Sequence, residues 1–279
     1  MFPPRLFWTL IALPLLRMCS PQPDPPLAAS AVAAQAPVFV TVRPPPAAAR
    51  PAPMTYKAVL VAGDGRLPVF DNAVQGVEAR LRAAGAGGRA DIQRLSAAGD
   101  TLDRDARIRL ASRANILAVV AAMKPAPGQG CFVFATSHGG QWRGLWLAAN
   151  QEYLTPDALD LALSAGCGEA PTVVVMSGCY TGIFARPPMT RPNRIVLTAA
   201  RSDRTSFGCG AGRTYTAYDK CLLDALDKGG TWPVAYGLIE RCVLAEERRS
   251  DVAPSGPQAW FGPRVVGLPV PTHAAMAQR

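Results

Sequence analysis

Two apolar runs, each breaking into glycine, constrain this chain most. The first is Thr172 to Gly182, TVVVMSGCYTG, where Val173-Val174-Val175 is bounded by Pro171 and by Ser177-Gly178. A short β-branched run with no polar face reads as a buried strand of a mostly parallel sheet. The second is Cys131 to Thr136, CFVFAT, which ends in Ser-His-Gly-Gly. Between them lies a helix signal: Thr155 as N-cap, Pro156 at the first helical position, Asp157 in the first turn, then ALDLAL. Strand, helix and strand at this spacing make one βαβ crossover. The expected class is therefore α/β, with a mostly parallel central sheet flanked by helices.

Open α/β sheets place ligands at the carboxyl ends of their strands. Cys179 follows one predicted strand and His138 follows the other, 41 residues upstream. Were the strands parallel neighbours, the imidazole would stand beside the thiol. A cysteine nucleophile needs such a base, because a free thiol titrates near about 8.5 and a nearby imidazolium favours the thiolate. A lone cysteine is more often an inert small hydrophobe; a strand-end His-Gly at crossover spacing shifts the balance toward chemistry. The chain's other histidine, His273, lies in a Pro-containing tail and is a poor base candidate.

The order His-Gly, then Ser-Gly-Cys-Tyr-Thr-Gly, then LTAARSDRTSFGC resembles the legumain-type cysteine peptidases, family C13, within the caspase-like group. The resemblance covers about Tyr56 to Leu268. It implies a caspase-like three-layer fold and an endopeptidase in which Cys179 attacks a peptide carbonyl. His138 takes the thiol proton and returns it to the leaving amine. Backbone N–H groups of Cys179 and Gly139 would form the oxyanion hole, a contribution of about 3 kcal/mol per donor. Ser206 matches a pocket serine of the family, and Asp219 lies one residue out of register with a pocket acid. Asp203 is either a surface carboxylate or a second pocket acid, and Asp219 could equally be an exposed helix position. The family's preference for Asn or Asp before the cut is put in question by Ser177, which replaces an acid two residues before the cysteine. An acidic pocket from Asp203 or Asp219 would favour Arg or Lys instead. Two other function classes stay open: a transamidase or ligase using the same dyad, and a catalytically silent peptide-binding module.

Residues 1–19 read as an export segment. Arg5 supplies positive charge, and Leu6 to Leu16 an apolar stretch too short to span a bilayer. Leu16-Arg17-Met18-Cys19 resembles a bacterial lipoprotein site, which would lipidate Cys19 and tether the chain to a membrane. Cleavage within the Ala-rich stretch, for example after Ala33, is the competing reading. Residues 20–54, rich in Pro and Ala, read as a disordered tether or a propeptide. Residues 55–268 form the peptidase domain and 269–279 a frayed tail. The expected location is the periplasm or cell envelope, and the expected partner a peptide or protein substrate.

The formal charge of +9 comes from scattered arginines, with no basic block or aromatic interleaving that would mark a nucleic-acid surface. No metal and no other cofactor is expected, since no Cys/His set has ligand spacing and no phosphate or dinucleotide fingerprint occurs. Seven cysteines suit an oxidising compartment. With Cys19 and Cys179 set aside and Cys131 read as free inside a strand, Cys167, Cys209, Cys221 and Cys242 allow two disulfides in three pairings.

Further elements are expected at Lys57–Ala62 and Asp91–Leu95 (strands) and from about Phe70 to Ala84 (helix). In the latter, Asp71 or Asn72 would cap, and with Asp64 both are also candidate pocket residues. A long helix is expected over Thr101–Met123. Residues 139–144 read as a mobile or binding loop, and Leu145–Ala148 as a small hairpin strand. Arg194–Ala199 is a strand, with helices over Tyr215–Lys228 and Pro233–Arg249.

Overall fold

The structure, a computed structural model, describes residues 54–88, 91–210 and 212–271. The expected export segment, most of the tether, Cys19 and His273 lie outside the described residues. Among those described, no helix is long and apolar enough to cross a membrane.

The chain runs β1 (Thr55–Ala62), α1 (Val69–Ala83), β2 (Ile92–Ser96), α2 (Gly99–Arg104), β3 (Arg109–Leu110), α3 (Arg113–Ala121) and β4 (Gln129–Thr136). A small excursion follows: β5 (Gly139–Gly140), β6 (Gly144–Leu147) and β7 (Glu152–Leu154). Then come α4 (Pro156–Cys167), β8 (Thr172–Ser177), a 3-10 turn at Thr181–Ala185, β9 (Arg194–Thr198), α5 (Ala217–Lys228), α6 (Trp232–Ser250) and β10 (Gln258–Phe261). The main sheet has seven strands in the order β10-β9-β8-β4-β1-β2-β3, all parallel except β10. This is the α/β three-layer, caspase-like arrangement anticipated from the two apolar runs.

Strand alternation explains the layers. Phe132, Phe134, Val173 and Val175 face one side, where α1, α5 and α6 cover them through Val77, Leu222 and Ile239. Val133, Val174 and Met176 face the other, against Ile116 of α3, Leu159 and Leu163 of α4, and the small sheet. Strands buried on both faces can be apolar throughout, which is why they read as runs and not as alternations. The crossover helix begins where its sequence dictates: Thr155 accepts from the Ala158 N–H at 3.3 Å, with Pro156 in the first turn.

Several expectations are corrected. The long helix over 101–123 is two helices with an edge strand between them. The Asp105 carboxylate accepts the Arg107 backbone N–H at 3.1 Å, Arg109–Leu110 pair with Leu95–Ser96, and Ser112 caps a new helix by accepting from Asn115 N–H. Such local side-chain bonds compete with helix continuation. Asp71 and Asn72 do not cap α1, which starts at Val69 after Pro68 with no side-chain cap. Asp71 instead accepts from Ser96 Oγ at 3.0 Å, and Asn72 donates to the Thr214 carbonyl. The packed chain also runs beyond 268: Val270 is buried and its N–H donates to the Gly230 carbonyl at 2.8 Å.

The disulfides differ as well. Cys131 is bonded to Cys167 and Cys221 to Cys242, while Cys209 is a free thiol. Cys131 and Cys167 meet because the inner end of β4 and the last turn of the crossover helix α4 share the second core.

Candidate active site

Strands β4 and β8 are parallel neighbours in register, with Thr136 opposite Ser177. His138 and Cys179 each lie two residues beyond that last pair. They therefore leave the sheet side by side at its carboxyl edge, as the crossover spacing demanded. The approach is close enough to exclude side chains: a Cβ on Gly178 would lie 2.7 Å from the Ser137 carbonyl oxygen, and one on Gly139 would fall on the Cys179 carbonyl oxygen. The two glycines are what allow the edges to meet.

A sharp turn presents the thiol. Tyr180 has φ of 61°, in the left-handed region that a bulky residue adopts only when its surroundings hold it there. Those surroundings are identifiable. The Tyr180 N–H donates to the Arg204 carbonyl at 2.8 Å, and Thr181 Oγ1 donates to the Gly178 carbonyl at 2.9 Å. Among the described residues, no backbone carbonyl accepts from the Cys179 N–H. The thiol itself lies 3.5 Å from the Ser206 carbonyl oxygen, to which it donates, and 3.8 Å from Ser206 Oγ.

His138 is about one-third exposed, with Nε2 3.8 Å from Oδ2 of the buried Asp64. That separation is too long for a hydrogen bond but short enough for an ionic interaction with an imidazolium. Phe70 packs edge-on against the imidazole, with ring centroids 5.4 Å apart. Asp64 is further held by Arg66, through its backbone N–H at 2.9 Å and its guanidinium at 2.5–3.0 Å. Burial would raise the Asp64 carboxyl, but the bonds and charge of Arg66 outweigh it and hold the group below the usual carboxylate range. The sequence reading offered Asp64 only as a pocket candidate. Its position beside His138 depends on where the turn after β1 delivers it, which no local pattern encodes.

The pocket candidates separate into one that reaches the thiol and three that do not. Ser206 touches Cys179, as above. Asp203 is a surface carboxylate paired with Arg201 at 2.5 and 2.6 Å. Asp219 is wholly buried, one pleat beneath the dyad, accepting from Thr136 Oγ1 at 2.8 Å. It belongs to the first turn of α5, whose cap Thr216 accepts from the Asp219 N–H at 3.0 Å. Ser177 is also buried beside it. Burial pushes the Asp219 carboxyl up, and its polar neighbours, Thr136 among them, offset this only in part. Its Oδ1 has no partner. Asp219 and Ser177 thus form a buried floor and present nothing to solvent.

Cys209 sits three residues past Ser206, half-buried against the core. Burial above all pushes its thiol upward, which disfavours its thiolate. No group of three or more His, Cys, Asp or Glu side chains that could hold a metal ion occurs among the described residues.

Residues 113–228 match the family model described as the Peptidase C13 family. That span runs from α3 through α5 and contains His138, Gly139, Cys179, Ser206 and Asp219. No curated protein matches the chain.

Proposed function

We propose that this chain, whose residues 113–228 match the model of the Peptidase C13 family, is a cysteine endopeptidase acting through Cys179 and His138. The observation that carries this reading is the juxtaposition of these two residues at neighbouring strand ends, with Gly139 pressed against the Cys179 backbone. Cys179 Sγ attacks the scissile carbonyl while the imidazole of His138 takes its proton. The tetrahedral oxyanion is met by the Cys179 N–H, which has no other backbone partner, and by the Gly139 N–H. His138 then returns the proton to the leaving amine, and water releases the acyl group by the reverse sequence. Asp64 stabilises the imidazolium that forms between the two proton transfers.

For the residue before the cut we infer a preference for Asn or Asp. Two carboxylates would have favoured a basic residue there, but Asp203 is already paired with Arg201 and Asp219 is closed from solvent. What remains beside the thiol is the Ser206 hydroxyl, a neutral polar partner. A substrate group that leaves a buried polar partner unpaired costs about 1–3 kcal/mol, so selection by pairing is strong. Export to the periplasm or envelope, with a membrane tether if Cys19 is lipidated, rests on the N-terminal sequence. Two disulfides among the described residues suit an oxidising compartment.

Cleavage of a peptide library by wild type, Cys179→Ala and His138→Ala tests the reading. Each variant should lose turnover while keeping its fold. Comparable cleavage by Cys179→Ala would sink the assignment. An added amine that captures most of the acyl group would make the enzyme a transamidase.

A further inference from the structure

We propose that Trp142 forms a binding subsite for an apolar side chain on the leaving-group half of the peptide, one to three residues after the cut. This rests on the peptidase reading above. Proton return fixes the direction: the amine that receives it belongs to the first residue after the scissile bond, so that residue lies beside His138. The chain leaving His138 enters β5 at once, and the β5–β6 hairpin turns at Gln141-Trp142-Arg143. Ser206 contacts the thiol from another segment, between β9 and α5, and is assigned to the acyl half.

Three observations mark Trp142 as a contact residue. It is 67% exposed, the most exposed aromatic among the large hydrophobics of the described residues. Its φ of 61° is a left-handed conformation at a turn position where glycine or asparagine is the unstrained choice. The hairpin that displays it is rigid. Arg143 lies over the Tyr153 ring at 5.7 Å, Trp146 packs edge-on to Tyr153 at 5.1 Å, and Arg143 N–H donates to the Gly140 carbonyl at 3.0 Å. A strained, solvated indole on a braced hairpin contributes nothing to the core, yet it is pre-organised for contact.

Reach is adequate. Gly139 touches the Cys179 backbone, and Trp142 is three residues further, at most about 10 Å of chain. An extended substrate advances about 3.3 Å per residue, so the same distance spans three residues past the cut.

The test uses two fluorogenic substrates that share one acyl half. One carries an aminocoumarin leaving group with no further residues. The other is an internally quenched peptide with Phe or Leu in the first three positions after the cut. Trp142→Ala should lower kcat/KM for the second by about two- to tenfold, the range of one aromatic contact. The first should be unchanged, and Trp142→Phe should restore most of the loss. Equal effects on both substrates, or none on the peptide, would overturn the subsite while leaving the dyad intact. Failure of the wild type to hydrolyse either substrate in a thiol-dependent way overturns the subsite and the peptidase reading together.

Discussion

The disulfide between Cys131 and Cys167 closes the crossover that carries His138 toward Cys179. Its two sulfurs are 36 residues apart in sequence. In the chain-entropy treatment, a closed loop of that length removes about 3.8 kcal/mol of unfolded-state freedom at 25 °C. For a domain of this size, about 1 kcal/mol corresponds to about 2–4 °C in melting temperature, so the loss predicts a fall of about 8–15 °C. The perturbation is Cys131→Ala with Cys167→Ala, which removes both sulfurs and leaves no buried thiol unpaired. Thermal unfolding of the oxidised protein, followed by near-UV circular dichroism, measures the shift. Catalysis should behave differently. Cys131 lies seven residues before His138 along a strand, about 23 Å away. The bridge therefore braces the far end of β4, and kcat well below the new melting temperature should be unchanged. Native-state alkylation followed by intact mass provides a second reading, in which Cys179 and Cys209 react and the four bridged cysteines do not. Unchanged melting in the double variant, or rapid alkylation of Cys131 and Cys167 in the native protein, would refute the pairing.

Other perturbations have defined outcomes. Asp64→Asn should lower kcat by about tenfold, short of the ~10²–10⁴ expected from removing the base itself, with little change in KM. Asp160→Ala should strongly destabilise the fold, by about 3–5 kcal/mol, because it strands the fully buried Arg194, whose guanidinium it meets at 2.6 Å; chemical denaturation measures this. Asp219→Asn should flatten the pH dependence of stability. The folded carboxyl titrates above its unfolded value of about 4, so the folded state holds more protons. Stability then falls as pH rises from about 4 through the folded value, and denaturation at several pH values should show that slope in the wild type and not in Asp219→Asn.

The sheet and the neighbouring positions of His138 and Cys179 were legible for the same reason. Strands buried on both faces must be apolar along their length, so CFVFAT and TVVVMS declare themselves without tertiary information. Reactive residues placed just past such runs inherit a known position. What failed was whatever depends on the other side of a contact. Cys131 looked free because nothing in a strand sequence announces that a helix terminus will bring Cys167 to it. Asp219 looked accessible because its exposure depends on which face of α5 meets β4 and β8. Of the two readings open for Asp203, surface carboxylate or pocket acid, the structure shows the first, paired with Arg201. The stretch 101–123 looked like one helix because its apolar spacing outweighed Asp105 and Ser112, whose side chains bond locally and end one element and start another.

These failures divide the site into parts of different physical character. Cys179 and His138 stand just past rigid strand ends, fixed by ladder bonds and by a contact that tolerates no side chain at Gly139. The wall that carries Ser206 is a loop, but a pinned one. The Arg204 carbonyl accepts from Tyr180 N–H and the Phe207 carbonyl from Ala217 N–H, so the segment between them is held at the nucleophile turn and at the start of α5. The Trp142 hairpin grows from the base itself. A peptide bound across this edge would thus meet one braced surface on each side of the cut, with chemistry supplied by the sheet. On the proposed reading, variation in Ser206 or Trp142 would alter substrate choice without moving Cys179 or His138, since neither contributes to the strands that position them. Variation in Gly139 or Gly178 cannot, because any side chain there pushes the two reacting strand ends apart.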